Sequence, residues 1–125
     1  MGTNTIGELL SRACRRFSSR VAVVAHGRSL TYGALLERAS RLSNALSGAG
    51  LRPGDRIAAM LEDRTESLEV YLASAIGGFP IVHVNDRLAA PEVAHIVRDA
   101  GVAAFIHTTS PSGRIAIALG RRERS

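Results

Sequence analysis

Leu51-Arg52-Pro53-Gly54-Asp55-Arg56, running directly into Ile57-Ala58-Ala59-Met60-Leu61, is the stretch that decides how the chain is built. Pro53 fixes φ, Gly54 supplies a permissive backbone, and the Asp55 carboxylate can accept from neighbouring amides, so the hexapeptide reads as a stiff turn. Residues 57–61 carry no polar side chain, which suits a strand covered on both faces of a parallel sheet. The turn thus takes the chain from the surface into the middle of a sheet. It brings no group that could do chemistry.

Upstream of the turn, Thr31 suits an N-cap and Leu35, Leu36, Ala39, Leu42, Ala45 and Leu46 form one stripe of a helix over 32–47. Glu37, Arg38 and Arg41 fall off that stripe, and Gly48 and Gly50 end the helix. Before it, residues 21–25 and 29–31 flank His26-Gly27-Arg28 as a short β-hairpin. At the start of the chain, Thr5 and Glu8 have the spacing of a capping box. Ile6, Leu9, Leu10, Ala13 and Phe17 then recur at helical intervals, predicting an amphipathic surface helix from 6 to about 18.

Downstream, the spacing predicts a helix capped by Thr65, with Leu68, Tyr71, Leu72, Ala75 and Ile76 on one face and Gly77-Gly78 closing it. A second buried run follows at 81–84. Pro91 opens another helix carrying Val93, Ile96, Val97 and Ala100, which Gly101 ends before a third strand over 102–106. The alternation predicts an α/β fold: a partial three-layer parallel sheet with flanking helices and right-handed crossovers, preceded by the short hairpin. From Thr108 the pattern stops. Thr109-Ser110-Pro111-Ser112-Gly113 is loop chemistry and 115–119 is one short apolar run, so 108–125 reads as a divergent, poorly ordered tail.

The 125 residues suit one domain, and 46% hydrophobic with 22% charged residues is a globular composition. All sixteen basic residues are Arg, giving a formal charge of +5. With no Lys present, lysine Schiff bases and lysine phosphate clamps are excluded. Cys14 stands alone, so no intramolecular disulfide can form and a reducing, cytoplasmic setting is expected. Residues 1–6 lack the basic-then-apolar order of a signal peptide. The longest uncharged run, 70–85, is too short to span a bilayer and is interrupted by Gly77-Gly78 and Pro80, so no transmembrane segment is expected.

Candidate chemical groups are few. His26, His83, His95 and His107 have no local spacing of a zinc site, and a structural role is the preferred reading over a metal one. Glu62-Asp63, Glu66 and Glu69 fall at the carboxyl end of a strand and on the helix after it, where open α/β sheets place ligands, but a solvated helix start is the preferred reading because carboxylates favour the positive end of the helix dipole. Ser110-Pro111-Ser112-Gly113-Arg114 has one Gly, a Pro without an amide donor and no Lys, which favours a plain turn over a phosphate loop. Arg121, Arg122 and Arg124 lack interleaved aromatics, so a solvated tail is preferred to nucleic-acid binding.

Three segments carry a resemblance. Ser29-Leu30-Thr31-Tyr32-Gly33-Ala34-Leu35, then Leu51-Arg52-Pro53-Gly54-Asp55-Arg56-Ile57-Ala58, then Asn85-Asp86-Arg87-Leu88 with a helix ending Asp99-Ala100-Gly101-Val102, resemble the N-terminal region of adenylate-forming acyl-CoA ligases. The family patterns are S-L-T-Y-x-E-L, G-V-x-P-G-D-R-V-A and N-P-R-L, in the same order and at similar spacing. Ala34, Asp63 and Asp86 depart from the family's usual Glu, Asn and Pro. The resemblance covers residues 5 to 107 and implies a partial N-terminal domain of a fatty-acid-CoA ligase-like protein.

The family uses ATP, Mg2+ and coenzyme A to convert a carboxylate to an acyl-adenylate and then to a thioester. Its phosphate loop, adenine and ribose contacts and adenylation Lys have no counterpart here, so the resemblance implies a truncated chain with no catalytic residue, inactive alone. Arg87 is the one position carried over, as a contact for a coenzyme A phosphate. A stand-alone coenzyme A-binding or regulatory module is the alternative. A parallel sheet cut after three strands leaves an uncovered edge, so self-association or docking to another ligase chain is expected.

Overall fold

The computed structural model describes residues 6–25, 27–61, 64–84, 89–109 and 114–119. The opening turn is the hub of the fold. Gly54 sits at φ 95°, a left-handed backbone that suits glycine. The Asp55 carboxylate accepts from the Arg52 amide at 2.8 Å, closing the turn on itself. Outward bonds then fix it to both neighbouring strands. The Gly54 amide donates to the Gly78 carbonyl at 2.7 Å, Ile57 N–H to Pro80 at 2.9 Å, and Ala103 N–H to the Arg56 carbonyl at 2.7 Å. The Arg56 guanidinium also donates to the Ala100 carbonyl at 2.9 Å, at the end of the last helix.

The helices follow from their sequence signals, with some shifts in boundary. α1 is Ile6–Arg16, α2 Tyr32–Gly48, α3 Arg64–Gly77 and α4 Ala90–Ala100. Thr31 caps α2 as expected, its Oγ1 accepting from Ala34 N–H at 3.1 Å. Pro91 lies in the first turn of α4, and Gly101 ends it at φ 62°. α3 begins at Arg64, so Thr65 lies inside its first turn and is not its cap. β1 (Val21–Ala25) and β2 (Arg28–Thr31) form the expected antiparallel hairpin, with a bulge between Val21 and Val23.

β3 (Ile57–Met60), β4 (Ile81–His83), β5 (Ala104–Thr109) and β6 (Arg114–Leu119) make a four-stranded sheet in the order β4-β3-β5-β6. β3 is central and parallel to both neighbours, with Ile57 opposite Ile81 and Ala104. The chain runs outward to β4 and then back across to β5. Crossovers of one hand running in opposite directions place their helices on opposite faces of the sheet, and the side chains divide accordingly. Ile57, Ala59, Ala104 and Ile106 join α1, α2 and α3 in one core; Ala58, Met60, Val82 and Phe105 join Val93, Ile96 and Val97 of α4 in another. The period-two alternation along each strand is what produces the three layers.

Two expectations need correction. The sheet is mixed: β6 runs antiparallel to β5, with Ala104 opposite Leu119 and Thr109 opposite Arg114. The apolar run after Gly113 is long enough to add a strand to an edge that would otherwise be bare. Secondly, 81–84 is not a wholly buried run. β4 is an edge strand, so Ile81 and Val82 are half-buried and His83 is exposed, while Val84 beyond it is buried.

α1 is oriented in a way that periodicity does not reveal. Gly7, Ser11 and Cys14 face the protein, while Ile6 (71% exposed), Leu9, Leu10 and Phe17 face out. Gly7 lies so close to the Ala75 carbonyl and the Ile76 backbone of α3 that no Cβ would fit. Close helix approach through a small residue has taken precedence over burial of the larger stripe. No helix among the described residues is long and apolar enough to cross a membrane.

Candidate functional site

In an open α/β sheet, ligands bind outside the carboxyl ends of the strands, where the strand order reverses. Here the reversal lies between β3 and β5. Met60 stands opposite His107 at that point. His107 is half-buried, its ring 5.6 Å from the Phe105 ring. Glu62-Asp63, Asn85 to Leu88 with Arg87, and 110–113 lie outside the described residues, as does His26. The described residues thus supply the frame of a crevice: β3 and β5 as its floor, with Met60 and His107 at its lip.

The other candidates do not converge on that lip. His83 on β4 meets Tyr71 of α3, with hydroxyl and Nε2 3.0 Å apart and ring centroids 5.3 Å apart. The pair pins α3 to the exposed edge strand. Sequence reading missed it, since no local spacing signals a contact between a helix and the strand after it. His95 lies 3.2 Å from Asp99 one turn on, an exposed helix-surface pair.

Glu66 and Glu69 do not line an open ligand site; both are buried on α3. The Arg38 Nε of α2 lies 3.0 Å from Glu69 Oε1, yet neither that oxygen nor Glu66 Oε2 has an aligned hydrogen bond. Arg38 pairs with Glu69, and Glu66 adds a second carboxylate beside Glu69. Burial pushes the Glu69 carboxyl above its ordinary value, Arg38 opposes this, and Glu66 adds to it. Burial likewise raises the Cys14 thiol, so it packs as a small apolar group.

Among the described residues no group of three or more His, Cys, Asp or Glu could hold a metal ion. Glu66 and Glu69 are buried, Glu69 against Arg38, so they do not fit the magnesium of a nucleotide.

Known proteins resolve what this frame belongs to. A family model described as AMP-binding enzyme matches residues 10–124. The chain belongs to the AMP-binding enzyme family. The match extends over β6, whose residues fall in the stretch read from the sequence as a divergent tail. Feruloyl-CoA synthase from Amycolatopsis sp. is 39% identical over 108 residues, which is 85% of this chain and 22% of that protein. Fatty acid–[acyl-carrier-protein] ligase ScoC from Streptomyces coeruleorubidus is 44% identical over 80 residues, 64% of this chain and 15% of its own length. The N-terminal subdomain of NpsA from Klebsiella oxytoca superposes with a TM-score of 0.75 at 25% identity, covering 88% of this chain and 28% of that one. The chain thus corresponds to an N-terminal part of AMP-forming acyl-CoA ligases and spans about a fifth of the length of the curated relatives it matches, 22% for the feruloyl-CoA synthase.

Proposed function

We propose that residues 5–107 are the partial N-terminal scaffold of an ATP-dependent ligase that activates fatty acids, and that the 125-residue chain does not adenylate a carboxylate by itself. The observation that carries this reading is the match over 10–124 combined with a span of 22% of a relative's length. In the reaction the family implies, a carboxylate oxygen attacks the α-phosphorus of ATP, pyrophosphate leaves, and the thiol of coenzyme A then displaces AMP. Fatty acids come first as substrate and ferulate-like aryl acids second, since relatives named for both are similar to this chain.

ATP–pyrophosphate exchange by the purified chain tests the proposal. With medium- and long-chain fatty acids or ferulate, no exchange above background is expected; clear turnover would overturn it. Arg87 belongs to the same reading as a contact for a coenzyme A phosphate. Calorimetry of the wild type and Arg87→Ala with coenzyme A checks it: heat lost in the variant supports the contact, and none in either removes it. Docking to another ligase chain, or self-association in the cytoplasm, would use the edge strands β4 and β6. Light scattering of the chain across concentration tests that, with a monomer throughout counting against it.

A further inference from the structure

The outward stripe of α1 is used by nothing described so far. Leu9 and Leu10 are about half exposed, Phe17 is 36% exposed, and Ile6 extends the stripe to the start of the helix. At 100° per residue, the stripe lies about a quarter-turn or more away from the Gly7–Ser11–Cys14 face. Rolling α1 to bury it would replace Gly7 with a bulkier side chain against the Ala75 carbonyl. The packing therefore holds the stripe outward.

Its surroundings are one-sided in charge. Between residues 6 and 20 there are four arginines and one glutamate. Arg15, Arg16 and Arg20 are exposed. The Arg16 and Arg20 guanidinium carbons lie 5.5 and 5.0 Å from the centre of the Phe17 ring, so positive charge sits directly at the apolar rim. An apolar strip flanked by guanidinium groups is complementary to one kind of surface, in which acyl chains lie beneath anionic phosphates. Arginine stems can lie along the apolar layer while their heads reach the phosphates.

We propose that α1 and the turn after it form a peripheral docking surface for an anionic lipid bilayer, with α1 lying in the plane of the interface. Leu9, Leu10 and Phe17 enter the acyl boundary, and Arg16 and Arg20 take lipid phosphates. The surface is independent of any adenylating activity. A polypeptide seated on the same stripe is the competing occupant, but it would have to match the arginine rim with acidic groups.

Vesicle flotation of the full 125-residue chain tests this, using phosphatidylcholine alone and phosphatidylcholine mixed with phosphatidylglycerol. Retention on the mixed vesicles is expected, with little on the neutral ones. Arg16→Gln with Arg20→Gln should weaken it about tenfold, and Leu9→Ser with Leu10→Ser should do so comparably. Unchanged far-ultraviolet dichroism and melting of both variants show that folding is not the cause. The proposal is overturned by no retention, by equal retention on both vesicle types, or by variants that float like the wild type. It is also overturned if Leu9→Ser with Leu10→Ser dissolves a protein oligomer that vesicles do not compete with.

Discussion

The two faces of the sheet are built to different standards. On one, α1, α2 and α3 enclose Leu46, Ile57, Phe79, Val70 and Ile106, all essentially inaccessible. On the other, α4 contributes no fully buried residue, and the buried set among the described residues is Ala58, Val84 and Val102. The same three strands floor both cores, so the difference lies in the helices. Three helices crossing one face exclude water from it, whereas one helix of eleven residues leaves its own apolar stripe half covered. Cohesion of the domain therefore rests on the first face, and α4 is the part held least firmly.

Mutations on each face can break or sharpen that contrast. Phe79→Ala empties the centre of the larger core and should cost about 4 kcal/mol in chemical denaturation. Gly7→Ala forces α1 away from the Ala75 carbonyl and should cost about 2 kcal/mol, the expense of overpacking without removal of any contact. On the α4 face, Val97→Ala deletes a half-buried side chain and should cost about 1 kcal/mol; a loss equal to that of Phe79→Ala would dissolve the distinction. Thr31→Ala, which removes only the α2 cap, should also cost about 1 kcal/mol.

The smallest expected effect concerns Glu69. Its folded-state carboxyl titrates above the ordinary value, so it favours the protonated folded state, and its contribution falls as pH rises through the shifted value. Because desolvation outweighs the Arg38 attraction, Glu69→Gln should raise the denaturation midpoint at neutral pH. The gain should vanish in acid, where wild-type Glu69 is already neutral. A loss at neutral pH would mean that the Arg38 pair dominates.

Much of this fold is legible from the sequence where a local signal and the global arrangement agree. The 51–56 turn, the Thr31 cap, the Pro91 start and the Gly101 stop all lie where their chemistry puts them. Less is legible where tertiary contact decides. The 3.6-residue period places α1 but cannot say which side packs, since Gly7 rather than the leucines sets the approach to α3. His83 sits in an apolar run yet faces solvent, because strand order, which the run does not encode, makes β4 an edge. β6 follows a Pro- and Gly-containing loop with no crossover helix before it, so its apolar run does not stand out until β5 is there to pair with it. Of the candidate site, the acidic residues on α3 are legible but not their burial, nor the pairing of Glu69 with Arg38, which depends on how α2 crosses α3.

Native-state hydrogen exchange measures the contrast between the faces directly. The amides of α4 should exchange through a local opening that leaves α2 and β3 protected, with the slowest exchange in α2, β3 and β5. If α4 amides instead exchange at the same rate and with the same denaturant dependence as those of α2, the two faces unfold as one, and the account of a scaffold resting on its α1–α3 face is wrong.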